Sequence, residues 1–143
     1  MKQILKNSLS TGTDQNKTSI AILILRVAIG VLMLTHGLPK LFMLIGDDPI
    51  RFGDPIGIGV TASLTLAVFA EVFCSIFLIF GVATRLSAIP LISTMLTAVL
   101  IHHADDSFAR KELALLYLSV FVVIAIIGAG KYSIDNWLSK KIA

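Results

Sequence analysis

The sequence predicts an all-α fold, a transmembrane antiparallel four-helix bundle. Hydrophobic residues make up 56% of the 143 positions and charged residues 15%, so the chain is more apolar and less charged than a soluble domain. The mean hydropathy is +0.90, and the apolar residues are concentrated in four long runs. Backbone groups in lipid must find hydrogen-bond partners within their own segment, which favours helices over the four runs.

Short polar linkers separate the four runs, so consecutive helices are expected to be antiparallel neighbours. The predicted spans are residues 20–45, 58–80, 86–101 and 113–127. A helix needs ~20 residues to cross ~30 Å of hydrocarbon, so the polar flanks of the two shorter runs are expected to extend them. Gly81 is predicted to end the second helix, and Gly30 and Gly37 are expected to let the first helix approach its neighbours closely.

The Lys and Arg residues predict the orientation of the chain. Seven lie on the side of the two termini and three on the opposite side, so we predict a multi-pass membrane protein with both termini cytoplasmic. The seven are Lys2, Lys6, Lys17, Arg85, Lys131, Lys140 and Lys141, and the three are Arg51, Arg110 and Lys111. The predicted division is a polar cytoplasmic tail over 1–18, a four-helix membrane domain over 19–138 and a basic tail over 139–143. Residues 133–142 are expected to form a short amphipathic helix on the membrane surface.

Several function classes lack their usual sequence signature. The net charge of +3 comes from basic residues at the ends of apolar segments, so no nucleic-acid partner is predicted. Cys74 is the only cysteine, so the chain has no CxxC pair and no internal disulfide. No nucleotide fingerprint, phosphate loop or H-E-x-x-H metal motif occurs.

Three segments resemble the DoxX family of small four-helix membrane proteins. They are RVAIGVLMLTHGLPKLF at 26–42, AEVFCSIFLIFGVATRLSA at 70–88 and KELALLYLSVFVVIAIIGAGKYSIDNWL at 111–138. The resemblance covers residues 20–138 and implies a four-helix bundle in the inner membrane. It also implies an association with quinone-linked oxidoreductase complexes, since related proteins are subunits of such systems. The bundle resembles that of membrane thiol oxidoreductases as well, but the paired cysteines of those enzymes are absent here.

Arg26 and Glu71 are ionisable residues within apolar runs, where a charge is costly and usually has a partner or a function. A rise of 1.5 Å per residue places Arg26 roughly 9 Å and Glu71 roughly 15 Å from the cytoplasmic ends of their helices. The sequence therefore predicts a buried ion pair between these two residues. The alternative is that Glu71 carries a proton or accepts a hydrogen bond from a ligand.

Polar residues near the predicted periplasmic end form the candidate ligand site. His36 and Lys40 lie four residues apart on one face of the first helix. His102 or His103 is expected to join them, together with Glu112, around a polar cavity. The alternatives are a structural histidine, a lysine that extends to the interface, and a solvated helix end.

The leading functional prediction, which follows largely from the resemblance to the DoxX family, is a small inner-membrane subunit that serves quinone-linked electron transfer. In it, His36, Lys40 and Glu112 hydrogen-bond a quinone headgroup, and other membrane or periplasmic redox subunits supply the redox centre. No metal site is predicted, because Lys40 would oppose a nearby cation. The alternatives are a non-enzymatic binding or transport module for a small lipophilic molecule, and a scaffold subunit. Enzymatic activity and a homo-oligomeric state are left open.

Overall fold

The computed structural model describes residues 14–142, and the fold over this range is all α, as predicted. The helices are α1 (Gln15–Ile45), α2 (Val60–Phe80), α3 (Thr84–His102), α4 (Phe108–Ile127) and α5 (Ile134–Ile142). Two stretches have the wider π-helical hydrogen bonding: Phe69–Cys74 inside α2 and Ala98–His102 at the end of α3. Helices α1 to α4 pack around a shared core in which α1 contacts α2 and α4, while α3 contacts α2 and α4.

Three helices have the length and hydropathy of a membrane span, namely α1, α2 and α3. Helix α4 is 20 residues long, but Arg110, Lys111 and Glu112 lie near its start. The crossing of the membrane by α4, and with it the four-helix transmembrane bundle, therefore stays a prediction.

Helix α1 begins where the sequence offers a capping residue. The Asp14 side chain accepts a hydrogen bond of 2.8 Å from the backbone N–H of Asn16, which satisfies a donor at the helix start. The helix thus begins inside the predicted polar tail of residues 1–18, and residues 1–13 of that tail lie outside the described range. The buried residues of α1 recur every three or four positions and form one stripe toward the core. They are Ser19, Ile22, Arg26, Gly30, Met33 and Gly37.

Gly30 and Gly37 bring α1 and α2 close together, as the sequence predicts, and they also set the register between the two helices. A Cβ atom at Gly37 would lie 2.9 Å from the backbone carbonyl carbon of Glu71, and one at Gly30 would lie 2.5 Å from Cγ1 of Ile79. Both distances are below ordinary van der Waals contact. Only glycine lets the two backbones approach this closely, and the two contacts set an antiparallel register in which Gly37 is level with Glu71.

The turn between α2 and α3 is held by the C-terminal helix. Gly81 ends α2 in the left-handed conformation, with a φ of 69°, which confirms it as the predicted helix stop. Asp135 of α5 then accepts hydrogen bonds from the backbone N–H groups of Ala83 (2.7 Å) and Thr84 (2.9 Å), so it caps α3 from a distant part of the chain. The predicted amphipathic segment is helical over Ile134–Ile142, and Lys140 and Lys141 of the predicted basic tail lie in the last turn of this helix.

Candidate functional site

A cavity of about 770 Å³ lies toward the end of the bundle formed by residues 46–59 and 103–107, here called the loop end. All four long helices and part of the α1–α2 loop contribute to its lining. Its walls are mainly apolar, and its polar side chains come from all four long helices, from His103 and from Arg51 of the loop. The apolar walls include Met33, Leu66, Ala67, Phe69, Ala70 and Met95.

An ion pair between Lys40 and Glu71 lies in the cavity wall. Nζ of Lys40 donates a hydrogen bond of 2.5 Å to Oε1 of Glu71. The Glu71 side chain is only 2% exposed, and its second oxygen, Oε2, is buried without a hydrogen-bond partner among the described residues. Lys40 is 28% exposed and keeps two further N–H donors, because an ammonium group has three. The cavity therefore combines a buried carboxylate with a partly accessible cation.

The predicted ion pair between Arg26 and Glu71 is wrong. Gly37 is the α1 residue level with Glu71, and Arg26 lies eleven residues before it, which is roughly 16 Å along a helix. Lys40 is three residues from Gly37, less than one turn away, so it is the basic residue of α1 that reaches the carboxylate.

Arg26 lies near the opposite end of the bundle and is fully buried there. Its Nη2 donates a hydrogen bond of 2.7 Å to the backbone carbonyl of Tyr132, in the segment that precedes α5. A side chain at Gly81 would overlap the guanidinium group, so the turn after α2 also packs on it. Arg26 therefore ties the first helix to the C-terminal segment and takes no part in the cavity.

Glu71 lies within the π-helical stretch of α2. A π-helical turn holds one more residue than an α-helical turn, so it rotates the side chains that follow and is frequent at functional sites. The sequence FAEVFC gives no local sign of this geometry. The π-helical stretch and the register set by Gly37 together bring Glu71 to Lys40.

Tyr117 of α4 faces the same cavity, although the sequence analysis did not single it out. The side chain is 6% exposed, and its ring packs edge-on against the His36 ring, with centroids 5.7 Å apart at 88°. His36, a predicted site residue, is therefore placed against the aromatic ring of Tyr117 and one helical turn from Lys40. The sequence does contain a sign of this residue, because Tyr117 lies within an apolar run and a buried tyrosine usually directs its hydroxyl to a polar partner.

His102 and His103 both line the cavity, although the sequence predicted that only one of them would. His102 ends the π-helical turn of α3, and His103 leaves helical geometry with φ −108° and ψ 23°. In an α-helix, two successive side chains point about 100° apart, so only one of the two histidines would face the cavity. Because His103 is not helical, both can face it. Nδ1 of His103 lies 2.7 Å from Oδ2 of Asp106, and this hydrogen bond is the main cause that lowers the pKa of Asp106, with a smaller contribution from Arg110.

Glu112 does not line the cavity, so its predicted place in the site is wrong. Arg110, Ala114 and Tyr117 mark the cavity side of α4. Glu112 is two positions from Arg110 and from Ala114, or about 200° around the helix, and it is exposed on the far side. Within residues 14–142, no group of three or more His, Cys, Asp or Glu side chains is placed to hold a metal ion.

Asp54 holds the loop wall of the cavity in place, and sequence reasoning missed it. Its carboxylate accepts hydrogen bonds from the Ser63 hydroxyl (2.6 Å) and from the backbone N–H groups of Gly59 (2.8 Å) and Ile58 (3.1 Å). These bonds, the one from Ser63 above all, lower the pKa of Asp54. They fix the loop to the start of α2, and the ring of Phe52 in this loop lies 5.8 Å from Nζ of Lys40.

Residues 21–104 match the family model described as DoxX. The chain belongs to the DoxX family. The matched range contains Lys40, Glu71 and all three histidines, while Tyr117 lies beyond it. The family and the three apolar helices together establish a membrane protein, which has the lipid bilayer as its surroundings.

Two curated proteins are similar to this DoxX protein over most of its length. The inner membrane protein YqjF of Escherichia coli K12 is 29% identical over 129 residues, which cover 85% of this chain and 95% of the relative. The uncharacterised membrane protein Rv3486 of Mycobacterium tuberculosis is 26% identical over 138 residues, which cover 85% of this chain and 83% of that protein. No solved structure matches.

Proposed function

We propose that this DoxX protein binds a quinone headgroup in the loop-end cavity and serves as a membrane subunit in quinone-linked electron transfer. The observation that supports the proposal best is the Lys40–Glu71 pair in the wall of a largely apolar cavity of about 770 Å³. An apolar cavity with a few converging polar groups is the usual form of a binding site for a small organic molecule. The proposal assigns binding to this chain and electron transfer to a partner redox subunit of the membrane or the periplasm.

The polar groups of the cavity suit the two carbonyl oxygens of a quinone. Lys40 has two N–H donors beyond the one that Glu71 accepts, and the Tyr117 hydroxyl and the His36 ring supply further polar groups nearby. The buried Oε2 of Glu71 can accept a hydrogen bond from a quinol hydroxyl. A metal cation is disfavoured, because the ammonium group of Lys40 already neutralises the carboxylate that would bind it.

The proposed location is the inner membrane, with the loop end periplasmic and both termini cytoplasmic. The seven-to-three distribution of Lys and Arg between the two sides supports this orientation. The similarity to YqjF, described as an inner membrane protein, supports the location. A cavity in this position would be within reach of a periplasmic redox partner.

Titration of a short-tailed quinone into the full-length protein in lipid nanodiscs tests the proposal. We expect saturable binding that the double variant Lys40→Met with Glu71→Leu weakens roughly 10–100-fold, because hydrogen bonds to charged groups contribute about 1.5–3 kcal/mol. The matched control is Lys131→Met, since Lys131 bonds exposed Asn16 outside the cavity. The absence of saturable binding, or equal affinity in the double variant and the control, would contradict the proposal.

A second candidate function is the binding or transport of another small lipophilic molecule. The polar residues Arg51, His102 and His103 at the loop-end side favour it, because they give the cavity a hydrophilic entrance as well as apolar walls. Mass spectrometry of molecules that co-purify with gently extracted protein separates the two candidates. A co-purified quinone supports the first, and another amphiphile at stoichiometric amount supports the second.

A further inference from the structure

The loop-end cavity also reaches the side of the bundle, between α2 and α3. Leu66 and Phe69 of α2 line the cavity, yet their side chains are 52% and 47% exposed. Across from them, Pro90 and Ser93 of α3 line it as well, and Ser93 is exposed. Residues that both line a cavity and face outward mark its rim, so the cavity has a lateral opening here.

This opening lies at a depth where the surroundings are hydrocarbon. Phe69 is nine residues from the start of α2, and Ser93 is nine residues from the end of α3, so both are about 14 Å from the loop end. The hydrocarbon layer is ~30 Å thick, which places the rim close to its middle. Glu71 and Tyr117 lie at nearly the same level, eleven and nine residues from the loop ends of their helices.

The packing of α2 explains the opening. Helix α1 packs along the whole of α2, whereas α3 packs on the part from Phe69 to Phe80 and hardly touches Val60–Val68. Helices α2 and α3 therefore diverge toward the loop end, beginning at the π-helical stretch that contains Glu71. The ion pair and the lateral opening result from the same feature of α2.

We propose that the opening is a lateral portal that holds the hydrocarbon chain of a membrane-dissolved amphiphile while its polar head lies at Lys40 and Glu71. The inference rests on the proposed function for the head, and it specifies the ligand class: a long-chain molecule that enters from the bilayer. A chain that leaves between Leu66 and Ser93 stays in hydrocarbon, so it is never transferred into water. A compound that arrived from water would instead pass the polar side chains at the loop end.

Fluorescence quenching by lipid tests the portal without any quinone. Tyr117→Trp, in a Trp137→Phe background, places the only tryptophan inside the cavity. In bilayers of phosphatidylcholine brominated on its acyl chains, we expect this tryptophan to be quenched. Ser93→Phe, which narrows the portal, should remove most of that quenching.

Two control variants separate the portal from the outer surface of the bundle. Leu116→Trp, the neighbouring position of α4, is 58% exposed and outside the cavity, so its quenching should not respond to Ser93→Phe. Ile89→Phe, on an outer face of α3 at 55% exposure, should leave the Tyr117→Trp signal unchanged. Quenching of Tyr117→Trp by aqueous iodide but not by the brominated lipid would overturn the portal.

A crosslinking measurement on the wild-type protein tests the portal without depending on the folding of any variant. In bilayers that contain a phospholipid with a diazirine on its acyl chain, we expect crosslinks on Ala67 and Ala70, which line the cavity and are 8% and 1% exposed. Crosslinks confined to outward-facing residues would overturn the portal. The absence of quinone binding contradicts the proposed function, whereas these two measurements decide the portal on their own.

Discussion

Lys40 on α1 donates a hydrogen bond of 2.5 Å to Glu71 on α2, and this is the one ion pair between long helices in residues 14–142. The pair lies beside the close contact of Gly37 with the Glu71 backbone. Its position is therefore determined by backbone packing, and its partly exposed lysine faces the cavity. The pair links the packing of the bundle to the chemistry of the candidate site.

Removal of one partner from this pair should destabilise the fold more than removal of both. Lys40→Met leaves the Glu71 carboxylate buried without its cation, which costs roughly 3–5 kcal/mol for a buried pair. Lys40→Met combined with Glu71→Leu should be milder, because no charge remains in the wall. The free energy of unfolding in bicelles, measured for the two single variants and the double variant, gives the coupling. Additive effects would show that the two residues are uncoupled, and Lys131→Met serves as the control for loss of an exposed lysine.

The register of the helices explains which parts of the site sequence reasoning reached. The apolar runs, the stop at Gly81 and the small contacts at Gly30 and Gly37 are local patterns, so the sequence predicted them. The partner of Glu71 depends on the register between α1 and α2. This register is set by the packing of the two helices rather than by a local sequence pattern. His36 and Lys40 were found because polar residues stand out in an apolar run, and His102 and His103 because they follow one. Tyr117 acts through a contact with a distant helix, and Asp54 acts through a loop conformation that its sequence does not reveal.

Gly37→Ala should disturb the site more than Gly30→Ala does. The added methyl group at Gly37 meets the backbone of Glu71 at 2.9 Å, and a backbone cannot move without shifting α2. At Gly30 the nearest group is the Ile79 side chain, which can change its rotamer. We expect Gly37→Ala to cost about 1–3 kcal/mol of stability and to weaken ligand binding, as measured by unfolding and by quinone titration. Equal losses in the two variants would show that the backbone contact at Gly37 is no more restrictive than the side-chain contact at Gly30.

The loop wall of the cavity should lose order in acid as Asp54 is protonated. The folded-state pKa of Asp54 is lowered by its hydrogen bonds from Ser63, Gly59 and Ile58. Its contribution to stability is therefore complete above the unfolded pKa, ~3.9, and is lost as the pH falls through the lower folded value. Hydrogen exchange at the amides of Ile58 and Gly59 should show protection at neutral pH that disappears in this acidic range. In Asp54→Asn, the protection should be weaker and nearly independent of pH, and an unchanged acid transition in that variant would assign the effect to another group.

Asp135→Ala should loosen the contact between the C-terminal helix and the α2–α3 turn, which then keeps the bond from the backbone N–H of residue 135 to the Gly81 carbonyl. The variant loses both bonds to the N–H groups of Ala83 and Thr84, and loss of a helix cap costs about 0.5–2 kcal/mol. Faster hydrogen exchange should appear in the turn and in α5 together. Ser139→Ala, which removes a bond within α5, is the control. Exchange that rises in α5 alone would show that the turn is stable without the cap.

Reporter fusions test the proposed orientation. Fusions at Asp48 and Ser107 should report the periplasm, and a fusion at Arg85 should report the cytoplasm, because the Lys and Arg excess lies on the side of the termini. A cytoplasmic signal at Asp48 would reverse the orientation. Cytoplasmic signals at Arg85 and Ser107 together with a periplasmic one at Asp48 would show that α3 does not cross the membrane.

The hydrogen bond from Arg26 to the Tyr132 carbonyl joins an early and a late part of the chain during synthesis. The two residues are 106 positions apart, so the arginine enters the membrane long before the ribosome has made its acceptor. Until then the guanidinium group must donate its hydrogen bonds to water or to lipid headgroups. Closure of the C-terminal segment over α1 is therefore a late step of assembly, and a chain that stops before Tyr132 lacks this acceptor for Arg26.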